Sequence, residues 1–163
     1  MNLENEKAKD FCLPGIDAAG QEAPFCLHDF LHQGRDIILY FYPKDETPGC
    51  TTEACDFRDN FSRLSGRAFV LGVSPDSIAS HQKFRQKHSL NFPLLSDPDK
   101  KVLKEYEAYG DKSLYGILTR GVIRSTYVID PEGTVKKRWI GVKAKGHVDK
   151  VLEYLLAAGK SPA

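Results

Sequence analysis

No apolar run in these 163 residues approaches the roughly 20 that a membrane-spanning helix needs. The polar, charged stretch 1–10 also lacks the apolar centre of a secretory signal, so a cytoplasmic location is expected. Charge of one sign is missing too. The 23 Lys and Arg residues face 22 Asp and Glu, for a formal net charge of +1, which implies neither a nucleic acid nor any other polyanion as partner. The densest basic cluster, Lys136-Lys137-Arg138, reads as the solvated face of a strand. Internal repeats, low-complexity tracts and Pro/Gly/Ser-rich linkers are absent, so residues 1–163 read as one domain, long enough to bury a core without staples. Cysteine is sparse, with four residues, and none of the pairs is Cys-x-x-Cys. In the expected compartment these are free, metal-bound or catalytic rather than a disulfide framework. The five histidines (His28, His32, His81, His88 and His147) show no metal-ligand spacing with them, so no metal is expected and all five read as surface or core residues.

What is present alternates between strand and helix signals. Phe11-Cys12-Leu13 and Phe25-Cys26-Leu27 read as two short strands, with Pro14-Gly15 and Ala19-Gly20 marking their connection. Asp36 to Tyr42 is a nearly continuous apolar run ended by Pro43, the pattern of a strand buried on both faces. Cys50, Ala54, Phe57, Phe61 and Leu64 are spaced 4, 3, 4 and 3 apart, one helical stripe. Arg67 to Val73 is the next strand, and Ser74-Pro75-Asp76 reads as the cap and first turn of a helix reaching about His88. A short strand is expected within Phe92 to Leu95, then a helix opened by Asp97-Pro98-Asp99 with Val102, Leu103 and Tyr106 on its apolar side. Residues 125–129 and 134–140 make a hairpin about Pro131-Glu132-Gly133, and Val148, Val151, Leu152 and Leu155 mark a last amphipathic helix. The order predicts an α/β protein with a mixed central sheet and helices on both faces.

The chemistry concentrates in residues 40–55. A cysteine in the first turn of a helix sits among unpaired backbone N–H groups at the positive end of the helix dipole, which favours thiolate over thiol. The thiolate is the nucleophile, so Cys50 is placed for reactivity. A displacement by such a thiolate also needs donors aimed at the departing atom, where charge builds. The loop can supply the Thr47 hydroxyl and the N–H groups of Gly49 and Cys50. A fixed cation would complete such a site.

Pro43-x-x-x-Thr47-x-x-Cys50 resembles the P-x-x-x-T-x-x-C signature of the peroxiredoxins, and Pro48-Gly49-Cys50-Thr51-Thr52-Glu53-Ala54-Cys55 is similar to their Q-type branch, the bacterioferritin comigratory proteins. The likeness extends from the Phe11 strand through Arg124-Ser125-Thr126 to the last helix. It implies a thioredoxin-like fold with an N-terminal β-hairpin. It also implies a monomeric, thioredoxin-dependent peroxidase of hydrogen peroxide and organic hydroperoxides that needs no metal, flavin or haem. Cys50 would then be the attacking sulfur, Thr47 the peroxide-orienting hydroxyl, Pro43 the shield of the thiolate, Arg124 the cation and Glu53 the residue that orients it. Cys55 would resolve the sulfenic acid as a Cys50–Cys55 disulfide, restored by thioredoxin or a similar dithiol protein. On an intact helix, residues five apart have Cα atoms about 8.6 Å apart, beyond the disulfide limit of about 6.8 Å, so the start of the helix must unwind in each cycle.

A thioredoxin-type oxidoreductase predicts Cys-x-x-Cys at a helix start, where this chain has Cys-x-x-x-x-Cys. A zinc-binding module lacks its ligand spacing, and a peroxide sensor would share the first chemical step with a peroxidase. Arg120 is the nearest competitor to Arg124. Cys12 and Cys26 read chiefly as small side chains packed under the sheet edge, although the two strands can bring them face to face and permit a disulfide. Tyr40, Phe41, Tyr42, Phe84 and Trp139 read mostly as core.

Overall fold

The apolar run at 36–42 forms the middle of the sheet, and both of its faces are covered. The computed structural model describes residues 4–114 and 116–158. The chain runs through β1 (Cys12–Ile16), β2 (Glu22–Cys26), a 3-10 turn (Leu27–Phe30), β3 (Asp36–Phe41), α1 (Pro48–Asp59), α2 (Phe61–Leu64), β4 (Ala68–Ser74), α3 (Ile78–His88), β5 (Leu94–Ser96) and α4 (Lys101–Glu105). It continues through β6 (Tyr109–Leu114), β7 (Ile117–Val122), β8 (Ser125–Ile129), β9 (Val135–Ile140) and α5 (His147–Ala158). Seven strands form one mixed sheet in the order β2-β1-β5-β4-β3-β8-β9. Strand β3 pairs in parallel with β4 and antiparallel with β8, and β4 is parallel to β5. No helix among the described residues is long and apolar enough to cross a membrane.

Alternation along β3 divides the core in two. Ile38, Tyr40 and Tyr42 pack with Ala54 and Phe57 of α1, Phe84 of α3, and Val148, Val151 and Leu155 of α5. Ile37, Leu39 and Phe41 face the other way, against Val102 and Leu103 of α4 and against Phe11 and Leu27. The expected α/β class, with helices on both faces and an N-terminal hairpin, is what the chain adopts. Each buried Ile, Leu or Phe of this kind stabilises the fold by about 1.5–3 kcal/mol.

Several boundaries differ from the expectation for local reasons. Strand β1 runs straight through Pro14 and Gly15, which were expected in the connection. Pro14 lies opposite Pro24, and a Cβ on Gly15 would come 2.5 Å from the Leu94 carbonyl oxygen, so the glycine admits β5. The helix expected to start at Ser74 starts later. Ser74 remains in β4 and its hydroxyl bonds the Asp76 carboxylate (2.7 Å), while Ser77 caps α3 by accepting from the Ser80 N–H (3.2 Å). The stripe from Cys50 to Leu64 is interrupted at Asn60, between α1 and α2. The β6–β7 hairpin was not anticipated. Its residues are mostly exposed or half-buried, so it carries no clear apolar period.

Cys12 and Cys26 are directly opposite in the β1–β2 register, with Cα atoms 4.0 Å apart, and they are disulfide-bonded. The expectation of side chains packed beneath the sheet edge does not hold. Cys12 is exposed and Cys26 half-buried, because the shared face at this end of the hairpin points to solvent. Their facing one another across the hairpin was anticipated.

Candidate active site

Strand register decides which distant residue meets the helix that carries Cys50. Phe41, the last residue of β3, is paired with Ser125, the first of β8. Arg124 therefore enters beside the point where the chain leaves β3 and turns through Pro43 to Thr47 into α1. Thr47 occupies the N-cap position with extended backbone (φ −82°, ψ 152°), Pro48 is the first helical residue, and Cys50 sits in the first turn, 1% exposed. The Arg124 guanidinium spans two groups on the same face of α1. Nη2 donates to Cys50 Sγ at 3.3 Å, and Nη1 donates to Glu53 Oε1 at 2.7 Å. Cys50 and Glu53 are three apart, so a helix presents them side by side.

Glu53 is fully buried, and burial pushes its carboxyl up to about pKa 7 while Arg124 pulls it down. Its Oε2 has no hydrogen-bond partner among the described residues. Burial works against the Arg124 charge, but Glu53 and Cys50 outweigh it and raise its pKa. Gly49 makes this close approach possible, because a Cβ there would lie 3.1 Å from Arg124 Nη2. Tyr40 lies beneath, its ring 4.7 Å from that of Phe57, and burial holds its phenol far above the ordinary range, with Glu53 and Cys50 adding to the shift.

Thr47 and Pro43 lie in the loop that leads from β3 into α1. The Thr47 hydroxyl donates to the Lys44 carbonyl (2.7 Å) and does not cap α1, so its oxygen lone pairs remain as acceptors. Pro43 is half-buried at the end of β3. Cys55 lies on α1 with Cys50, half-buried, and both thiols are free. Burial raises the Cys55 pKa, partly opposed by Arg58. With α1 helical through both positions, the pair is held apart as the five-residue spacing requires. Arg120, the alternative cation, is exposed in β7 and lies 3.5 Å from Asp111, on the separate hairpin.

Two supports were not identified from sequence. The first anchors the loop. The buried Asp45 carboxylate accepts from Tyr42 Oη (2.6 Å) and Ser80 Oγ (2.8 Å) and meets His81 Nδ1 at 2.7 Å. Its own N–H donates to Asp76 Oδ2 (2.7 Å), and His81 Nε2 faces the Leu95 carbonyl at 2.9 Å. The second flanks Arg124. His147 Nε2 lies 2.7 Å from Thr126 Oγ1, and burial, then Arg124 and Lys150, lower its pKa to about 4. Neither carried a signal in the sequence, since Asp45 lies in a polar loop and His81 and His147 on helices that carry other polar residues, where a buried polar side chain looks like a surface one.

A buried sulfur in a first helical turn can attack an electrophilic atom, and the guanidinium fixed on it can stabilise the charge that leaves. A family model described as the AhpC/TSA family matches residues 5–138. The Peroxiredoxin Bcp of Bacillus subtilis strain 168 is 48% identical over 127 residues, 76% of this chain and 80% of that protein. The solved structure of Xanthomonas campestris bacterioferritin comigratory protein, studied for its alkyl peroxide reduction activity, is 39% identical with a TM-score of 0.79, covering 91% of this chain and 92% of that one. Peroxidoxin BcpB of Mycobacterium tuberculosis is 33% identical with a TM-score of 0.80, covering 96% and 98%.

Proposed function

Because the chain belongs to the AhpC/TSA family, among the peroxiredoxins of the Bcp type, and is a thiol-dependent peroxidase, we propose that Cys50 is the sulfur that takes oxygen from the hydroperoxide. The observation that carries this assignment is the 3.3 Å hydrogen bond from Arg124 Nη2 to a cysteine sulfur in the first turn of α1. The Cys50 thiolate attacks the terminal oxygen of the substrate in line with the O–O bond. That bond breaks, and its electron pair goes to the departing oxygen, which leaves as water or an alcohol after taking a proton. Arg124 and the N–H groups of Gly49 and Cys50 stabilise the charge as it forms. Thr47 accepts a hydrogen bond from the hydroperoxide O–H and so fixes its approach. Glu53 is a positioning residue, since it holds the guanidinium over the sulfur.

The product on Cys50 is a sulfenic acid. The Cys55 sulfur attacks it, water leaves, and a Cys50–Cys55 disulfide forms. The first turns of α1 unwind for this step, since the helical spacing exceeds the reach of a disulfide. A dithiol protein of the thioredoxin class returns both cysteines to thiols by exchange. The substrates are hydrogen peroxide and organic hydroperoxides.

A coupled assay with thioredoxin, its reductase and a hydroperoxide tests the assignment on the parent and on Cys50→Ser and Cys55→Ser. Cys50→Ser is expected to be inactive. Cys55→Ser is expected to react once with peroxide and then fail to turn over. Undiminished turnover by Cys50→Ser refutes the proposal.

A further inference from the structure

The β1–β2 hairpin carries a second group of sulfur and nitrogen ligands that peroxide reduction at Cys50 does not use. Cys12 and Cys26 are the last pair of the β1–β2 register, and just beyond it Asp10, which precedes β1, meets His28 of the 3-10 turn that follows β2. Their contact is direct, with Asp10 Oδ2 2.8 Å from His28 Nδ1. The carboxylate is fixed in turn, since Asp10 Oδ1 accepts the N–H groups of Phe11 (2.9 Å) and His28 (3.2 Å). One ligand atom from each of Cys12, Cys26 and His28 falls within 4.8 Å of the others. The group faces solvent, with the His28 side chain 56% exposed.

We propose that Cys12, Cys26 and His28 form a redox-gated site that holds a thiophilic d10 cation, of which Zn2+ is the probe, when the cysteines are reduced and releases it when they join. Two sulfurs and an imidazole nitrogen are the donor set that zinc takes in proteins, and a solvent water fills the fourth position. The Asp10–His28 contact is the carboxylate support that metal-bound histidines regularly have. A plain staple of the sheet edge would need the two cysteines alone, with neither the histidine nor its carboxylate.

The chemistry balances with reagents the reaction already handles. A dithiol reductant opens the disulfide by exchange and becomes a disulfide itself. Binding of Zn2+ then displaces two thiol protons as two Zn–S bonds form. One hydroperoxide takes two electrons from the bound thiolates. With two protons it yields water and an alcohol, or two waters, while the S–S bond forms and Zn2+ leaves.

The test uses the full chain with Cys50→Ser and Cys55→Ser, so that no other thiol binds metal. Phosphine-reduced, anaerobic protein is titrated with Zn2+ against a chromophoric chelator. One equivalent is expected to bind, and one is expected to be released when hydroperoxide closes the Cys12–Cys26 bond. Adding Cys12→Ser should abolish uptake, and adding Asp10→Asn should weaken it about 10–100-fold. His28→Ala changes an exposed residue, leaves both cysteines in place and should weaken uptake at least as much. Far-UV circular dichroism confirms the fold of each variant, and the cobalt(II) form should show a sulfur-to-metal charge-transfer band. Absent uptake by the reduced protein, uptake that survives Cys12→Ser, or uptake unchanged by His28→Ala overturns the proposal.

Discussion

Arg124→Met removes the fixed charge of the site while keeping the bulk of the side chain. Arg124 Nη2 lies 3.3 Å from Cys50 Sγ, and the arginine side chain is 14% exposed. At that separation and an effective dielectric of about 20, a pair of unit charges is worth about 5 kcal/mol. Water entering the space and the N–H groups of the helix start recover part of that. Loss of one preorganised donor to a developing oxyanion costs about 3–4 kcal/mol, or roughly 10²–10³-fold in rate. The second-order rate constant for hydroperoxide should fall by that factor. Stopped-flow fluorescence can follow it, because Trp139, the single tryptophan, is on the strand next to β8 and its ring is 5.6 Å from that of His147. The substitution also strips Glu53 of its hydrogen bond. Since the carboxyl already titrates at about 7, it takes up a proton rather than remain a bare buried charge. The double variant Arg124→Met with Glu53→Gln should therefore recover most of any lost stability and none of the lost rate. Arg124→Lys keeps the charge but not the fork, and should fall between parent and Met. A folded Arg124→Met protein that reacts within about 3-fold of the parent would falsify the role given to this residue.

Other substitutions probe the surrounding parts. Gly49→Ala places a Cβ 3.1 Å from Arg124 Nη2, so the guanidinium must move and the peroxide rate should drop about tenfold or more, with the helix content by circular dichroism unchanged. Glu53 has a folded pKa of about 7 against an ordinary value of 4.5, so between those pH values the folded protein keeps a proton that the unfolded chain releases. Stability conferred at this position is lost as pH rises through that window, and urea titrations should show Glu53→Gln gaining on the parent by on the order of 1–3 kcal/mol between pH 5 and pH 8. Equal pH slopes for the two proteins would contradict this. Asp45→Ala leaves the buried donors of Tyr42 and His81 and the half-buried Ser80 hydroxyl without their acceptor, and should lower the urea midpoint by about 3 kcal/mol equivalent with the m-value unchanged.

The parts legible in the sequence were those whose cause is local. The strand at 36–42 declared itself by a nearly continuous apolar run, and α1 by the stripe of Cys50, Ala54 and Phe57, all three buried in the structure. Residues 43–55 could be read as one site because they are contiguous. Arg124 could not be reached that way. Its place depends on the pairing of Phe41 with Ser125, a register fixed by the whole sheet, and only the likeness to known peroxiredoxins singled it out beforehand. The β6–β7 hairpin was missed because backbone pairing, rather than a buried face, defines it. For Cys12 and Cys26 the proximity was legible but the environment was not. Which face of an edge hairpin meets solvent follows from β1 pairing with β5, a contact between residues about eighty positions apart in sequence. The Asp45 and His147 clusters fall in the same class, since each draws its partners from separate elements.

The central claim, that Cys50 is the sulfur that receives oxygen, is tested most directly by one equivalent of hydroperoxide added to reduced Cys55→Ser protein in the presence of a sulfenic-acid trapping reagent. Mass spectrometry of the digested protein then locates the adduct. A single adduct on the peptide carrying Cys50, lost when Arg124 is also replaced by Met at short reaction times, is the predicted result. An adduct on Cys12 or Cys26 instead, or consumption of peroxide with Cys50 left as a free thiol, would contradict the account.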